Sequence, residues 1–330
     1  MKKKENQSVH WSKHKEQVAG YWHVKLLLVL FKIFPVIILR ILAFPVGFFY
    51  FVFSRKGRAE SKRFLKKAAP LIDNPKISKK CRSPMGPLRH IISFSLTLTE
   101  KIQTWGGKFS FKNIYFQDDD IEELIQMLED KKGVFLIMSH LGNIELLRGL
   151  ANFSQTGVSR NVPVTAIIDM NVSENFTRMI KELNPDSAFN VINARDIGAD
   201  TVIILEEKLA QGEIVTITGD RTSVNINEEN FMIPFLEEEA PLSPGIFYLA
   251  VLMKMPVYYV FSLRRGDLSL KPLYDMHVYK CPLSFDCGRN ERRMRSLELA
   301  RSFAALLEKH CKEKPFQWYN FYDFWSKQGA

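Results

Sequence analysis

A histidine and a glutamate five positions apart are the residues of this chain whose types and spacing suggest chemistry. Residues 135–147 read FLIMSHLGNIELL, an apolar run that stops at Ser139 and His140 and continues through a glycine and an asparagine to Glu145. An imidazole can remove a proton from a substrate, and a carboxylate on its second nitrogen can orient it. The pair therefore predicts a general base with its orienting partner.

The elements that must position this pair are a strand followed by a helix. Residues 134–139 have the continuous apolar character of a buried strand, and Asn143 is a good N-cap for a helix over 143–153. On one continuous helix His140 and Glu145 would point about 140° apart, so His140 must precede the helix. The carboxylate can then accept a hydrogen bond from one imidazole nitrogen while the other faces a substrate. The alternative is a core histidine, with Glu145 complementing the helix dipole.

The rest of the chain alternates between strand-like and helical patterns, which is typical of βα units. Further strands are predicted at 164–169, 189–193, 214–218 and 257–264, and helices at 173–183, 197–211, 243–253 and 291–312. Upstream, the pattern predicts helices at 89–104 and 119–129 and a linker at 73–84. The chain is therefore predicted to be α/β, with a mostly parallel central sheet covered by helices on both faces. In such sheets ligands bind beyond the carboxyl ends of the strands, where His140 is expected.

Charge and cysteine content exclude several classes of function. Residues 1–67 carry 15 Lys and Arg against 3 Glu, whereas the remaining chain has 31 basic and 33 acidic residues, so a nucleic-acid-binding body is not expected. The four cysteines are Cys81, Cys281, Cys287 and Cys311, and they form no CxxC pair. Neither a zinc cluster nor a disulfide framework is predicted, which favours a reducing, cytosol-facing setting and no metal site.

The basic N-terminus contains a long apolar and aromatic stretch. Charged residues leave an uncharged run of only 14 residues, 41–54, and Pro35 and Pro45 interrupt the pattern. We expect residues 1–72 to form an interfacial or re-entrant helical anchor on anionic lipids, with a tilted spanning helix as the alternative. A cleaved signal peptide is disfavoured because the stretch ends in RKGR instead of small residues. Residues 85–330 are expected to form the α/β domain.

Three blocks of the sequence resemble the lysophospholipid acyltransferase superfamily and, within it, the lipid A lauroyl and myristoyl acyltransferase branch. HLGNIE, residues 140–145, resembles the HxxxxD or HxxxxE hallmark, and TGDRTS, residues 218–223, resembles the second block of the family. Residues 231–265 resemble the stretch in which a PF motif, a turn, a helix and an apolar strand follow in order. The closing FQWYNFYDFW, residues 316–325, is similar to an aromatic segment of the lipid A branch. We expect this segment to pack on the sheet; alternatively it lines an acyl channel or docks on the bilayer.

The resemblance implies roles for individual residues. His140 would be the general base that deprotonates an acceptor hydroxyl, and Glu145 would be its orienting partner. Arg221 would hold a phosphate through its planar guanidinium. The predicted substrate-binding residues are Asn143, Arg195, Gly219, Asp220 and Arg221. The alternatives are a solvated Asp-Arg pair in a loop and a helix-capping role for Asp196 beside Arg195.

The resemblance further implies a membrane-surface acyltransferase that uses no metal or redox cofactor. Acyl carrier protein or coenzyme A would carry the acyl thioester, and a hydroxyl or amine of a lipid or glycolipid would accept the chain. Expected partners are membrane lipids and an acidic acyl carrier protein, at the cytoplasmic face of a bacterial inner membrane. Glu237 to Glu239 depart from the family pattern, and so does Asp169, so acceptor specificity is left open. The alternatives are a non-catalytic membrane lipid-binding protein and a hydrolase using Ser139 or Ser243, although neither serine lies in a GxSxG elbow.

Overall fold

A seven-stranded sheet organises the chain. The computed structural model describes residues 29–31, 33–117, 120–147, 157–169, 189–222 and 229–325. Its strands are β1 (Ile114–Phe116), β2 (Val134–Gly142), β3 (Val164–Ile168), β4 (Phe189–Asn193), β5 (Ile214–Thr218), β6 (Phe231–Phe235), β7 (Glu238–Leu242), β8 (Val257–Arg264) and β9 (Tyr274–Lys280). The sheet order is β1-β9-β8-β2-β5-β3-β4, and β6 and β7 form a separate antiparallel hairpin. Strands β8, β2, β5, β3 and β4 are mutually parallel, whereas β9 runs antiparallel to β8.

Helices account for most of the remaining described chain. They are α1 (Val36–Phe53), α2 (Arg55–Ala68), α3 (Pro75–Arg82), α4 (Gly86–Trp105), α5 (Asp120–Glu129), α6 (Ala199–Ala210), α7 (Pro244–Met253) and α8 (Arg292–Glu313). The strands and helices predicted from the apolar periodicity are confirmed to within a few residues wherever the structure describes them. The predicted helix at 173–183 lies outside the described residues, and of the helix predicted at 143–153 only its start, 145–147, is described.

The predicted linker at 73–84 is wrong, because most of it is the helix α3. The Asn74 side chain accepts hydrogen bonds from the backbone N–H groups of Lys76 and Ile77, and Pro75 occupies the first helical turn. Both features favour a helix start. The polar composition of this segment reflects a mostly exposed helix surface, with Cys81 buried and Ile77 packed partly against the core.

Helices cover the sheet on both faces, which confirms the predicted α/β class. Alternate residues of β2 enter two different cores: Phe135 and Ile137 pack with buried residues of α2, α7 and α8, whereas Leu136 and Met138 pack with residues of α5. Strand β2 is buried along both faces for this reason. Strand β9 was missed because its burial alternates, as in a strand with one solvated side.

The N-terminal helix α1 has an apolar surface that the described part of the chain leaves exposed. It is long and apolar enough to cross a membrane, with a mean hydropathy of 2.3 and only 17% of its residues buried. Its inner side packs on α4, where a Cβ at Gly47 would lie 2.9 Å from Ser95 Oγ. Pro45 lies inside this helix and does not end it. The next helix, α2, contributes Phe64 and Leu65 to the main core.

Candidate active site

Strand β2 ends in a conformation that requires glycine. Gly142 has a φ of +75°, and a Cβ there would lie 1.8 Å from the Ser262 carbonyl oxygen of β8. The pairing of β2 with β8 changes register between Met138 and Gly142, which marks an irregularity of the bulge type. His140 lies inside this irregular stretch, so its side chain leaves the regular alternation of the strand.

The residues after Gly142 begin a helix as the sequence predicts. The Asn143 backbone N–H donates to Ser262 O at 3.0 Å, and the Asn143 side-chain oxygen accepts from the Glu145 backbone N–H at 3.2 Å. Glu145 is the first residue of the helical turn at 145–147. His140 therefore precedes the helix and Glu145 lies in its first turn, which confirms the predicted arrangement of the HLGNIE segment.

The carboxylate that holds the His140 ring belongs to Asp220, which follows the neighbouring strand β5. His140 Nδ1 lies 2.7 Å from Asp220 Oδ1, and the His140 backbone N–H donates to Asp220 Oδ2 at 2.8 Å. A carboxylate oxygen accepts, so Nδ1 carries the proton and Nε2 carries the lone pair. In the described part of the chain Nε2 has no hydrogen-bond partner, and 25% of the side chain is exposed. The ring is thus held at one nitrogen and available at the other.

The hydrogen bond predicted between His140 and Glu145 is corrected by this geometry. The buried Glu145 carboxylate accepts from the Trp105 indole N–H at 3.1 Å, at the end of α4. Glu145 is the first residue of the helical turn after β2, and its side chain points toward α4. Asp220 lies at the end of the adjacent parallel strand, and it reaches the ring directly. A catalytic role of Glu145 remains a prediction.

The surroundings of the pair favour a neutral imidazole beside an ionised carboxylate. Burial lowers the pKa of His140, and the positive charge of Arg221 lowers it further, against the opposing effect of Asp220. Burial alone would raise the pKa of Asp220, but His140, Arg221 and the Trp318 indole hold that pKa below its usual value. A neutral imidazole with a free lone pair on Nε2 is the form that a general base requires.

Gly219 and Arg221 flank Asp220 just after β5, and both have close neighbours. The Arg221 guanidinium stacks 4.6 Å from the centre of the Tyr322 ring. The Gly219 N–H donates to Met138 O at 2.7 Å, and a Cβ there would lie 2.8 Å from side-chain atoms of both Ile137 and Phe303. Close packing thus requires Gly219, while Arg221 places a positive charge beside the His140–Asp220 pair.

Arg195 forms a second pair at the same edge of the sheet. Its Nε and one terminal nitrogen each lie 2.9 Å from an oxygen of Asp169, which follows β3. Arg195 follows β4, which lies three strands from β2, or about 14 Å at the usual strand spacing. His140, Asp220, Asp169 and Arg195 therefore share one edge, but Arg195 does not join the His140 cluster.

The aromatic C-terminal segment packs against the site, as expected. It forms a 3-10 turn at Pro315–Gln317 and then runs irregularly, with one bridge between Trp318 and Leu141. The Tyr319 N–H donates to the His140 carbonyl oxygen at 3.1 Å. The contact of Trp318 with Asp220 was not foreseen, since aromatic composition carries no information about which polar group an indole will meet.

A buried ion pair next to the site was also missed. Arg264, the last residue of β8, lies 2.8 Å from an oxygen of Glu100 on α4, and both side chains are fully buried. The Tyr274 hydroxyl donates to the same carboxylate. In the sequence Glu100 lies on a helix with mixed polarity, and nothing there distinguishes it from a solvated residue.

Comparison with known proteins agrees with this architecture. The family model described as bacterial lipid A biosynthesis acyltransferase matches residues 8–327 of the chain. No curated protein matches the chain. The family match includes α1, the strand end with His140, the segment with Asp220 and the aromatic C-terminal segment, so it covers every element of the candidate site.

Proposed function

The chain belongs to the bacterial lipid A biosynthesis acyltransferase family and is an acyltransferase; we propose that it transfers a fatty acyl chain from a thioester to a hydroxyl or amine of a lipid or glycolipid. The observation that carries the proposal is the 2.7 Å contact between His140 Nδ1 and Asp220 Oδ1, together with a partly exposed ring. This contact fixes the tautomer in which Nε2 can accept a proton.

In the proposed reaction the acceptor hydroxyl gives its proton to His140 Nε2 while its oxygen attacks the thioester carbonyl. The resulting tetrahedral intermediate collapses, the carbon–sulfur bond breaks, and the thiolate leaves with the proton from Nε2. Asp220 stabilises the imidazolium that forms between these two steps. The balanced products are an ester and a free thiol, so no other reactant is required.

Arg221 is the proposed site for a phosphate of the acceptor or of the donor. A guanidinium presents donors in a planar fork that matches phosphate oxygens. Its place directly after Asp220 puts that fork next to the base. Arg195 is proposed to contact the substrate farther along the sheet edge, with its orientation fixed by Asp169.

The acyl donor is proposed to be acyl carrier protein or coenzyme A, and the acceptor is proposed to come from the membrane. Helix α1 supplies the attachment, because the exposed fractions of Phe48, Phe49 and Phe53 are 49%, 60% and 78%. Exposed helix surfaces of this kind enter the interfacial region of a bilayer. The cytoplasmic face of the inner membrane is the proposed location, since both thioester donors are cytosolic.

The test uses the full chain in liposomes that contain a lipid extract with candidate acceptors. Radiolabelled acyl-acyl carrier protein and radiolabelled acyl-coenzyme A are supplied in separate reactions, and the acylated lipids are profiled. We expect product with one donor from the wild type and a loss of about 10⁴-fold in the His140→Ala variant. Equal product from both proteins would refute the proposed role of His140. A Phe49→Asp variant should bind liposomes more weakly in a flotation assay, with its site unchanged.

A further inference from the structure

The C-terminal segment supplies donors to both the carboxylate and the backbone carbonyl of Asp220. The Trp318 indole N–H donates to Asp220 Oδ2 at 2.9 Å, and the same oxygen accepts from the His140 backbone N–H. The Asn320 amide nitrogen lies 3.5 Å from Oδ2, and the Tyr322 hydroxyl lies 3.4 Å from the Asp220 carbonyl oxygen. Trp318 and Asp220 are both buried. Where water is excluded, the indole hydrogen bond to a charged oxygen has no ready substitute.

This segment is itself fixed to helix α4. His90 Nε2 lies 3.0 Å from Trp318 O, and the Ser61 hydroxyl lies 3.0 Å from His90 Nδ1. Burial lowers the pKa of His90 to about 3, so the ring is neutral at physiological pH. Because a carbonyl oxygen only accepts, Nε2 donates to Trp318 and Nδ1 accepts from Ser61. The Tyr319 hydroxyl adds a contact of 2.8 Å with Thr97 Oγ1. The backbone that carries the indole is therefore held on both sides.

Aromatic packing sets the orientation of the indole. The Trp318 ring lies 4.8 Å from Phe64, 5.2 Å from Phe235 and 4.9 Å from Phe324, measured between ring centroids. These contacts leave the ring little freedom to turn. Its N–H is consequently aimed at Oδ2 before any substrate binds.

We infer that Trp318 is a positioning residue of the active site, whose indole N–H fixes the Asp220 carboxylate so that Oδ1 holds the His140 ring. The inference rests on the proposed function, in which Nε2 of that ring is the base. Without the indole donor, the carboxylate can rotate and its charge is less well compensated. Both changes act on His140, although Trp318 itself touches neither substrate nor the reacting nitrogen.

The test removes the N–H of Trp318, in one variant with a bicyclic ring retained and in the other with a smaller ring. In one variant Trp318 is replaced by benzothienylalanine, in which sulfur stands in place of the N–H; the second variant is Trp318→Phe. We expect kcat to fall about 10- to 100-fold with little change in KM, which corresponds to the loss of one hydrogen bond to a charged group. The pKa of His140, followed by NMR of ¹⁵N-labelled imidazoles, should rise by about half a unit because Asp220 is less stabilised by other donors.

Trp325→Phe is the matched control. Its ring lies 6.1 Å from that of Trp318 in the same aromatic cluster, and its buried Nε1 has no hydrogen-bond partner within the described chain. The variant therefore shortens a partly buried indole of the same cluster and removes no donor to Asp220. The charged and titratable groups around the pair, Lys101, Arg221, Cys311 and Tyr322, are the same in every variant.

The outcomes separate the inference from the proposed function. If both Trp318 variants match Trp325→Phe in kcat and in the His140 titration, Trp318 only fills space and the inference is wrong. If no acylation occurs in any protein but the His140 titration still shifts in the Trp318 variants, the proposed function fails while the positioning contact stands. If the Phe variant unfolds, the benzothienylalanine variant decides, because its ring fills the same volume.

Discussion

Replacing Asp220 by asparagine is the substitution that tests the site geometry most directly. Oδ2 accepts from the His140 backbone N–H at 2.8 Å and the Trp318 indole at 2.9 Å and lies 3.5 Å from the Asn320 amide nitrogen, whereas among the described residues Oδ1 meets the His140 ring alone, at 2.7 Å. In Asp220→Asn the amide oxygen should therefore take the Oδ2 position and the NH₂ group the Oδ1 position. An NH₂ group facing Nδ1 forces the ring into the other tautomer, in which Nε2 carries the proton and can no longer act as a base.

The expected cost is large, because the substitution changes the chemical form of the base and not only its position. The equivalent change in serine proteases lowers kcat by about 10⁴-fold, and we expect about 10³- to 10⁴-fold here. The assay is acyl transfer in liposomes at saturating acceptor, with folding checked by circular dichroism. NMR of ¹⁵N-labelled imidazoles should report the tautomer exchange in the same variant.

Glu145→Gln is the matched comparison, since it changes the other candidate carboxylate by the same single atom. Gln retains an oxygen that can accept from the Trp105 indole, so we expect a loss within about tenfold. If Asp220→Asn kept activity within tenfold and Glu145→Gln abolished it, the orienting acid would be Glu145 and the reasoning from the 2.7 Å contact would be refuted.

Three further predictions concern the base, the turn and the buried ion pair. The pKa of His140 is lowered, so its neutral base form persists as the pH falls. In a pH-rate profile kcat/KM should therefore reach half its maximum on the acid side below the ordinary histidine value of 6.5. A midpoint above 6.5 would contradict this. Gly142→Ala should lower the free energy of unfolding by about 3 kcal/mol, measured by chemical denaturation, because its Cβ would meet a carbonyl oxygen at positive φ. Gly198→Ala is the control, since its Cβ would meet nothing within 4 Å, and it should cost about 1 kcal/mol or less. Glu100→Gln should cost about 3–5 kcal/mol by leaving Arg264 buried without its partner, and a loss below 1 kcal/mol would mean that the pair is not buried in solution.

Much of the fold follows from local patterns in the sequence. Continuous apolar runs predicted the five parallel strands, since strands covered on both faces must be apolar throughout. Strand β9 has no such apolar run because its alternate residues are less buried, and the polar surface of α3 resembles a linker. A continuous apolar run is typical of a fully buried element, and both of these elements are only partly buried.

The sequence predicts where the site lies in the fold, but not which side chains contact one another there. The ends of β2 and β5 carry His140 and Asp220, and parallel neighbours in a sheet bring such ends together. The identity of the orienting acid depends on side-chain directions after a bulge, which a five-residue spacing does not determine. The donor from Trp318 depends on contact across 98 positions of the chain, for which no local signal exists.

The two carboxylates near His140 have different tasks because the turn between strand and helix separates them. Asp220 follows the neighbouring strand and contacts the His140 ring, so it controls the proton on Nδ1. Glu145 lies five residues after His140 and binds the Trp105 indole at the end of α4. This contact ties the turn that carries His140 to α4. A hydrogen-bond acceptor at this position of HxxxxE then supports the turn without touching the ring. Its loss should loosen the position of His140 without changing which nitrogen carries the proton, and that difference is visible in the imidazole spectrum.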